Sequence, residues 1–341
     1  MTNKKIAQLA GVSPATVSKI LSGSDEISPA TAERVLRVIE ENGWTPPKYR
    51  RTASARGSLR AAILVPEIVS EYYSVIATSA AEALATEEIE TEIRIAGFTR
   101  EEQHALLRRL IGDGLTDGIL AVDMWEYTAP APIPIVMQNR IPDSDEDTIL
   151  RTSGFPDAIR YLRSLGHTRI GFIGEKNTVT KQRYFQLAME QQGLPLREEW
   201  LFSCTLRFAE IGFEAVRWFL SRKKEDPAFR LPTAFLTAYD EVALGVIRAL
   251  LDAGCSVPRD FSVIGMNDVS AAAFAGVRLT TIRTDSCEVA AANAHLLAQR
   301  IRTPSAPLAC GFGSRGSLVV RDSTAAPRPN DIPGNSASDE S

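Results

Sequence analysis

Near the start of the chain, the side chains best placed to do chemistry lie on Ser13-Pro14-Ala15-Thr16-Val17-Ser18-Lys19-Ile20-Leu21. Val17, Ile20 and Leu21 recur at i, i+3, i+4, which predicts a helix with one apolar face. Ser13 suits its N-cap and Pro14 its first position, where a missing N–H costs nothing. The outer face carries Ala15, Thr16, Ser18 and Lys19: small, polar or basic side chains that suit a helix lying in a DNA major groove. A first short helix precedes it, with Ile6, Leu9 and Ala10 as its inner face. Gly11 fits a left-handed turn after that helix and Val12 plugs the gap between the pair. On spacing alone, an ordinary helical hairpin fits equally well.

Residues that could carry enzyme chemistry are sparse. There are three histidines, His104, His167 and His295. His104 sits on an expected surface helix, His295 in a late helical pattern, and His167 in a turn where packing is its expected job. No G-x-S-x-G, Walker A or H-E-x-x-H stretch occurs. Gly311-Phe312-Gly313 lacks the strand–turn–helix context of a phosphate loop, and Glu87-Glu88 and Glu198-Glu199 read as solvated faces. The cysteines Cys204, Cys255, Cys287 and Cys310 are scattered, which predicts free thiols and neither a disulfide frame nor a zinc site. No catalytic group, metal or cofactor is expected, and the chain reads as a non-enzyme.

The elements that must position these residues follow from pattern and charge. The chain has 341 residues, enough for two or three packed units, and its hydrophobic content is 44%. No apolar run approaches the roughly 18 residues of a membrane span, and no signal-peptide layout opens the chain, so the expected compartment is the cytoplasm. Residues 1–60 hold ten Lys/Arg against five Asp/Glu, the remainder 28 against 37. A basic head on an acidic body is the layout of a DNA-binding head carried by a domain that must avoid DNA. Ser28-Pro29 starts a third helix to about Asn42, with Val35, Leu36 and Ile39 inside and Trp44 closing the small core. Residues 46–60 are proline-led and basic, a linker.

Beyond residue 60, short apolar runs alternate with helical patterns. Strands are expected at 61–65, 92–96, 118–122, 133–137, 170–173, 234–237 and 262–266. Helices are expected at 75–85, 101–111, 156–165, 184–192, 211–221 and 242–253. Repeated βα units mean a doubly wound α/β architecture. The Ala-, Pro-, Ser- and Asp-rich residues 325–341 read as a disordered tail.

The run from Lys4 to Gly23, with Ile-Ala-x-Leu-Ala-Gly-Val-Ser-x-x-Thr-Val-Ser-Lys-Ile-Leu-x-Gly close to the initiator Met, resembles the headpiece of the lactose-repressor (LacI/GalR) family of bacterial transcription regulators. Leu165-Gly166-His167-x-Arg169-Ile170-x-x-Ile173-Gly174, Val257-Pro258-x-Asp260-x-Ser262-Val263-x-Gly265, Leu279–Arg283 and Leu318–Thr324 extend the resemblance over about residues 2–324. It implies an all-α helix-turn-helix headpiece (1–45), a hinge (46–60) and a periplasmic-binding-protein-like core (61–324). That core would comprise two doubly wound subdomains (about 61–154 with 284–308, and 155–283 with 309–324) around a ligand cleft. The implied protein is a homodimeric regulator, commonly a repressor, on a near-palindromic operator. A free solute-binding protein is the alternative, but it would lack residues 1–60.

Site residues carry over position by position. Ser13, Pro14, Ala15, Thr16, Ser18 and Lys19 would meet DNA. The family's hinge wedges a leucine into the minor groove; here that position is Ala53 and an alanine position is Arg50. Lys48, Arg50, Arg51 and Arg56 would hold phosphates instead. For the effector, the resemblance selects Tyr72, Tyr73, Arg151, Lys181, Arg183, Tyr239, Asp240 and Asn267. An amide has given way to Arg151 and a carboxylate to Asn267, which predicts a cyclic ligand bearing a negative group, unless Asp240 pairs with Arg151 internally. A cleft that has lost its ligand altogether is the other reading.

Overall fold

A computed structural model describes residues 2–21, 26–42, 57–127, 131–139, 153–303 and 312–328. The hinge residues Lys48, Arg50, Arg51, Ala53 and Arg56, together with Trp44, Arg151 and Cys310, lie outside them. The chain divides into two units, Met1–Ser144 with Ser286–Ser314, and Asp145–Asp285 with Arg315–Ser341. It passes between them three times, at boundaries slightly shifted from the expected ones.

Three helices open the first unit: α1 (Asn3–Ala10), α2 (Pro14–Leu21) and α3 (Pro29–Glu41). Gly11 adopts φ +65°, and the Val12 N–H returns to the Ala7 carbonyl at 2.9 Å. That left-handed corner turns the chain from α1 into α2 within three residues. Ser13 Oγ accepts the Thr16 N–H at 3.0 Å and so caps α2. Ile6, Ala7, Ala10, Val17, Ile20, Leu21, Ala32, Val35 and Ile39 form one buried cluster. Leu9, expected inside, is 48% exposed. The buried stripe of α1 is Ile6, Ala7 and Ala10, which leaves Leu9 at its margin.

The same unit holds a parallel four-stranded sheet in the order β2-β1-β3-β4: β1 (Leu59–Val65), β2 (Ile89–Ile95), β3 (Gly118–Val122) and β4 (Ile135–Gln138). β2 begins three residues earlier than its apolar run suggested. As an edge strand it exposes Ile93 and Ile95, so its burial pattern is not that of a covered parallel strand. Helices α4 (Glu71–Thr86) and α5 (Arg100–Asp113) connect the strands, and α11 (Ser286–Arg302) returns to pack on α4, β3 and β4.

The second unit has six strands in the order β10-β9-β8-β7-β5-β6. These are β5 (Ile170–Glu175), β6 (Leu201–Cys204), β7 (Ala234–Thr237), β8 (Ser262–Met266), β9 (Thr280–Thr284) and β10 (Gly316–Val319). All pairs are parallel except β10 on β9. Helices α6 (Phe155–Ser164), α7 (Val179–Gln191), α8 (Ala209–Glu225), α9 (Asp240–Asp252) and the short α10 (Ser270–Phe274) complete it. Phe155, Phe172, Phe185, Trp200, Phe219 and Phe235 are buried in its core. α8 and α9 cross backbone to backbone. A Cβ on Gly245 would lie 2.2 Å from the Ala209 carbonyl oxygen, and one on Gly212 would lie 2.3 Å from the Val246 nitrogen.

The expected tail does not begin at 325. The buried His167 ring is 2.8 Å from the Ala325 carbonyl and 2.8 Å from Thr233 Oγ1, and Ser262 Oγ donates to the same carbonyl at 3.0 Å. Arg328 pairs with Asp260. These polar anchors hold residues 325–328 to the second unit although the segment has no apolar periodicity.

Candidate nucleic-acid interface and ligand site

On α2, Val17, Ile20 and Leu21 face the headpiece core, while Pro14, Ala15, Ser18 and Lys19 are exposed. Helix geometry thus aligns the residues singled out for DNA on one outward face. Ser13 Oγ and Thr16 Oγ1 lie 2.9 Å apart at the start of α2, beside amides that a phosphate could take. Lys19, in the last turn, is ion-paired with Glu26, the second residue before the Ser28 that leads into α3.

Each sheet has its own topological switch point, where successive crossovers leave in opposite directions, and ligands of open α/β sheets lie outside the strand carboxyl ends there. In the first unit the switch lies between β1 and β3. After β1 come Tyr72 and Tyr73, whose rings meet edge to face with centroids 4.9 Å apart. After β3 comes Asp123, held at φ +50°. Burial, reinforced by the Asp123 carboxylate to which both hydroxyls are hydrogen-bonded, pushes both phenols well above their usual range. The Tyr72 hydroxyl also lies 3.2 Å from Ser286 Oγ. Gln138, fully buried at the end of β4, donates to the Ser286 carbonyl at 2.9 Å.

In the second unit the switch lies between β5 and β7. β5 ends at Glu175, which is 5% exposed and accepts from Arg207 Nε at 3.2 Å and from the Tyr239 hydroxyl at 3.1 Å. That tyrosine hydroxyl accepts the Phe208 N–H at 3.1 Å. Phe208 itself sits at φ +57°, a conformation that costs a non-glycine residue free energy and is typically retained at functional positions. Lys181 and Arg183 occupy the first turns of α7, which starts five residues earlier than its apolar spacing suggested. Lys181 Nζ donates to the Ala238 carbonyl at 2.9 Å. Asn267 follows β8 at φ +98°, and its neighbour Asp268 binds Arg283 and Arg321, each at 2.6 Å.

Asp240 corrects the reading of the sequence. It is fully buried, with Oδ2 accepting the Val269 N–H at 2.8 Å and Oδ1 accepting Thr281 Oγ1 at 2.6 Å. Its carboxyl ties α9 to the segment after β8 and to β9, so both of its oxygens are engaged inside the unit. Burial raises its pKa to about 7. Glu175, Arg207, Phe208 and Asp123 were missed. Only their position at or just past a strand end marks them, and β6 is too short and half-exposed to be seen as a strand. A groove of about 790 Å³ along α8 and α9, lined by Leu206, Phe213, Arg217, Leu220 and Ala253, includes none of the switch-point residues.

The profile of the "Bacterial regulatory proteins, lacI family" matches residues 2–47, over the helix pair and α3, and that of the "Periplasmic binding protein-like domain" matches residues 159–324. The chain belongs to the LacI/GalR family. Over 305 residues, 86% of this chain and 90% of its relative, it is 25% identical to catabolite control protein A of Priestia megaterium. Over 319 residues (88% and 91%) it is 29% identical to the HTH-type transcriptional repressor PurR of Actinobacillus pleuropneumoniae serotype 3. The lac repressor dimer, solved bound to operator and the anti-inducer ONPF, superposes with a TM-score of 0.66 at 20% identity, covering 96% of this chain and 99% of that one. This last likeness shows that the LacI/GalR fold extends over nearly the whole chain. Among the described residues, no helix is long and apolar enough to cross a membrane and no group of His, Cys, Asp or Glu is arranged to hold a metal.

Proposed function

We propose that this regulator is a repressor of transcription. It binds a near-palindromic operator as a homodimer through α2, and its affinity is set by a small molecule held at the strand carboxyl ends of the core. The observation that carries the reading is the α1–Gly11–α2 corner, which seats three apolar residues of α2 in a core and turns Ala15, Ser18 and Lys19 outward. It acts in the cytoplasm, where the chromosome is, and it performs no catalysis.

The chemistry of the second unit's strand ends supports an effector with an anionic group. Lys181 and Arg207 lie at these strand ends, Lys181 on the Ala238 carbonyl and Arg207 on Glu175, and Arg183 shares the first turns of α7. An arginine at 151, where the family's cleft carries an amide, would call for a counter-charge that an anionic ligand supplies.

The test of DNA binding compares the full chain with one lacking residues 1–60 on duplexes selected from a random library. Only the full chain should protect a symmetric footprint. A footprint from the shortened chain, or none from the full one, would refute the assignment. For the effector, a thermal-shift panel of sugar acids, sugar phosphates, aromatic acids and neutral sugars should give a rise only with anions. A ligand at a hundredfold its Kd stabilises by about 2.7 kcal/mol, which is easily read.

A further inference from the structure

We infer that Ala15 is a specificity-determining residue, and that it selects a thymine in each operator half-site by contact with the base's 5-methyl group. The inference rests on α2 lying in the major groove. Its outward arc comprises Pro14, Ala15, Ser18 and Lys19, all exposed, while Val17, Ile20 and Leu21 are buried in the headpiece core. Ser18 and Lys19 stand three and four residues beyond Ala15, one turn along the helix, so the Ala15 methyl lies between them on the arc. Thr16 is half-buried and lies off the arc beside Ser13, whose Oγ accepts its N–H. Pro14 has no N–H, and neither its ring nor the Ala15 methyl can donate or accept a hydrogen bond. The amino-terminal turn of the reading face is therefore an apolar surface.

Groove chemistry decides what such a surface can read. Major-groove base edges present N7, O6 and O4 as acceptors, amino groups as donors, and one apolar group, the thymine 5-methyl. A methyl side chain set against an acceptor or an amino group excludes water from it and returns no hydrogen bond, which is unfavourable. Set against the thymine methyl, it removes apolar surface from both partners, and burying one such group is worth about fourfold in affinity. The amino-terminal residues of a recognition helix are the ones that reach base edges. The arc is thus divided: Pro14 and Ala15 meet an apolar edge, and Ser18 and Lys19 meet hydrogen-bonding ones. Each half-site holds a T·A pair where α2 enters it, close to the pair that Lys19 reads.

The experiment uses the full chain and a duplex selected from a random library, read by fluorescence anisotropy at fixed salt. Each thymine is replaced in turn, in both half-sites together, by deoxyuridine, which pairs identically and lacks the methyl. At one position the change should weaken binding about fourfold per half-site, so about sixteenfold for the symmetric pair. Ala15→Gly should erase that loss at this position alone; each protein is scored by its own ratio of thymine to uracil duplexes, so a general loss of helix stability cancels. A second measurement needs no variant: with C·G in place of that T·A pair, 5-methylation of the cytosine should tighten binding by the same factor. Uracil tolerated at every thymine, a loss that persists undiminished in Ala15→Gly, or no gain on methylation would overturn the inference. A full chain that selects no duplex at all would remove the DNA-reading role of α2, and this assignment with it.

Discussion

At the scale of single residues, two buried polar groups of the second unit respond to pH in opposite directions. Asp240 is a buried carboxyl whose pKa is raised to about 7, chiefly by desolvation. Because the folded chain binds this proton more tightly than the unfolded chain, the stability it contributes is full below about pH 4 and is lost as pH rises through 7. Asp240→Asn keeps an acceptor for the Val269 N–H and removes the titration. The difference in melting temperature between variant and native protein should therefore grow in the variant's favour from pH 5 to pH 8. A difference that stays flat would remove Asp240 as the titrating group. His167 moves the other way: burial lowers its pKa, so the stability tied to its neutral ring is full above about 6.5 and declines as pH falls below it. At the headpiece, Lys19→Ala should cost about 1–3 kcal/mol on the selected duplex and less on a random one, measured by anisotropy.

At the scale of elements, α8 and α9 cross backbone to backbone at Gly212 and Gly245. Gly245→Ala places a methyl against the Ala209 carbonyl, with no flexible side chain to move aside. It should destabilise by about 1–3 kcal/mol, the range for overpacking. This would appear as a lower urea midpoint at unchanged slope; an unchanged midpoint would mean that the helices separate freely. Much of this architecture was legible in the sequence. The runs 118–122, 234–237 and 262–266 coincide with β3, β7 and β8, because strands buried on both faces are continuously apolar. β6, β9 and β10 escaped: β6 and β10 are only four residues long and half-exposed, and β9 has a single aliphatic residue, Ile282, among threonines and an arginine, so their periodicity does not stand out from loop. Within the site, Tyr72, Lys181 and Tyr239 were reachable through the family's motifs. Glu175 and Phe208 were not, since each is defined by where a strand stops. The burial of Asp240 was not legible, because motif position says nothing about which way a carboxylate faces.

At the scale of the whole molecule, two headpieces on a twofold-symmetric site should bind far more tightly than one on half of it. A duplex carrying a single half-site should lose about 10²–10⁴ in affinity, the range for losing the second of two linked contacts. Equal affinity for half and whole sites would contradict the dimeric reading. The threefold passage of the chain between its units has a further consequence, which belongs to synthesis. The second unit's sheet lacks its last strand until Gly316–Val319 has emerged, and the first unit's lacks its α11 cover until Arg302 has. The headpiece cluster, in contrast, draws only on residues 6–39, contacts that are short in sequence and quick to form. At about 5–20 residues per second, roughly 15–60 s of translation separate a folded reading head from a completed core. During that interval each nascent chain presents α2 with no effector site to govern it. A message broken early leaves a product whose DNA contacts no small molecule can release.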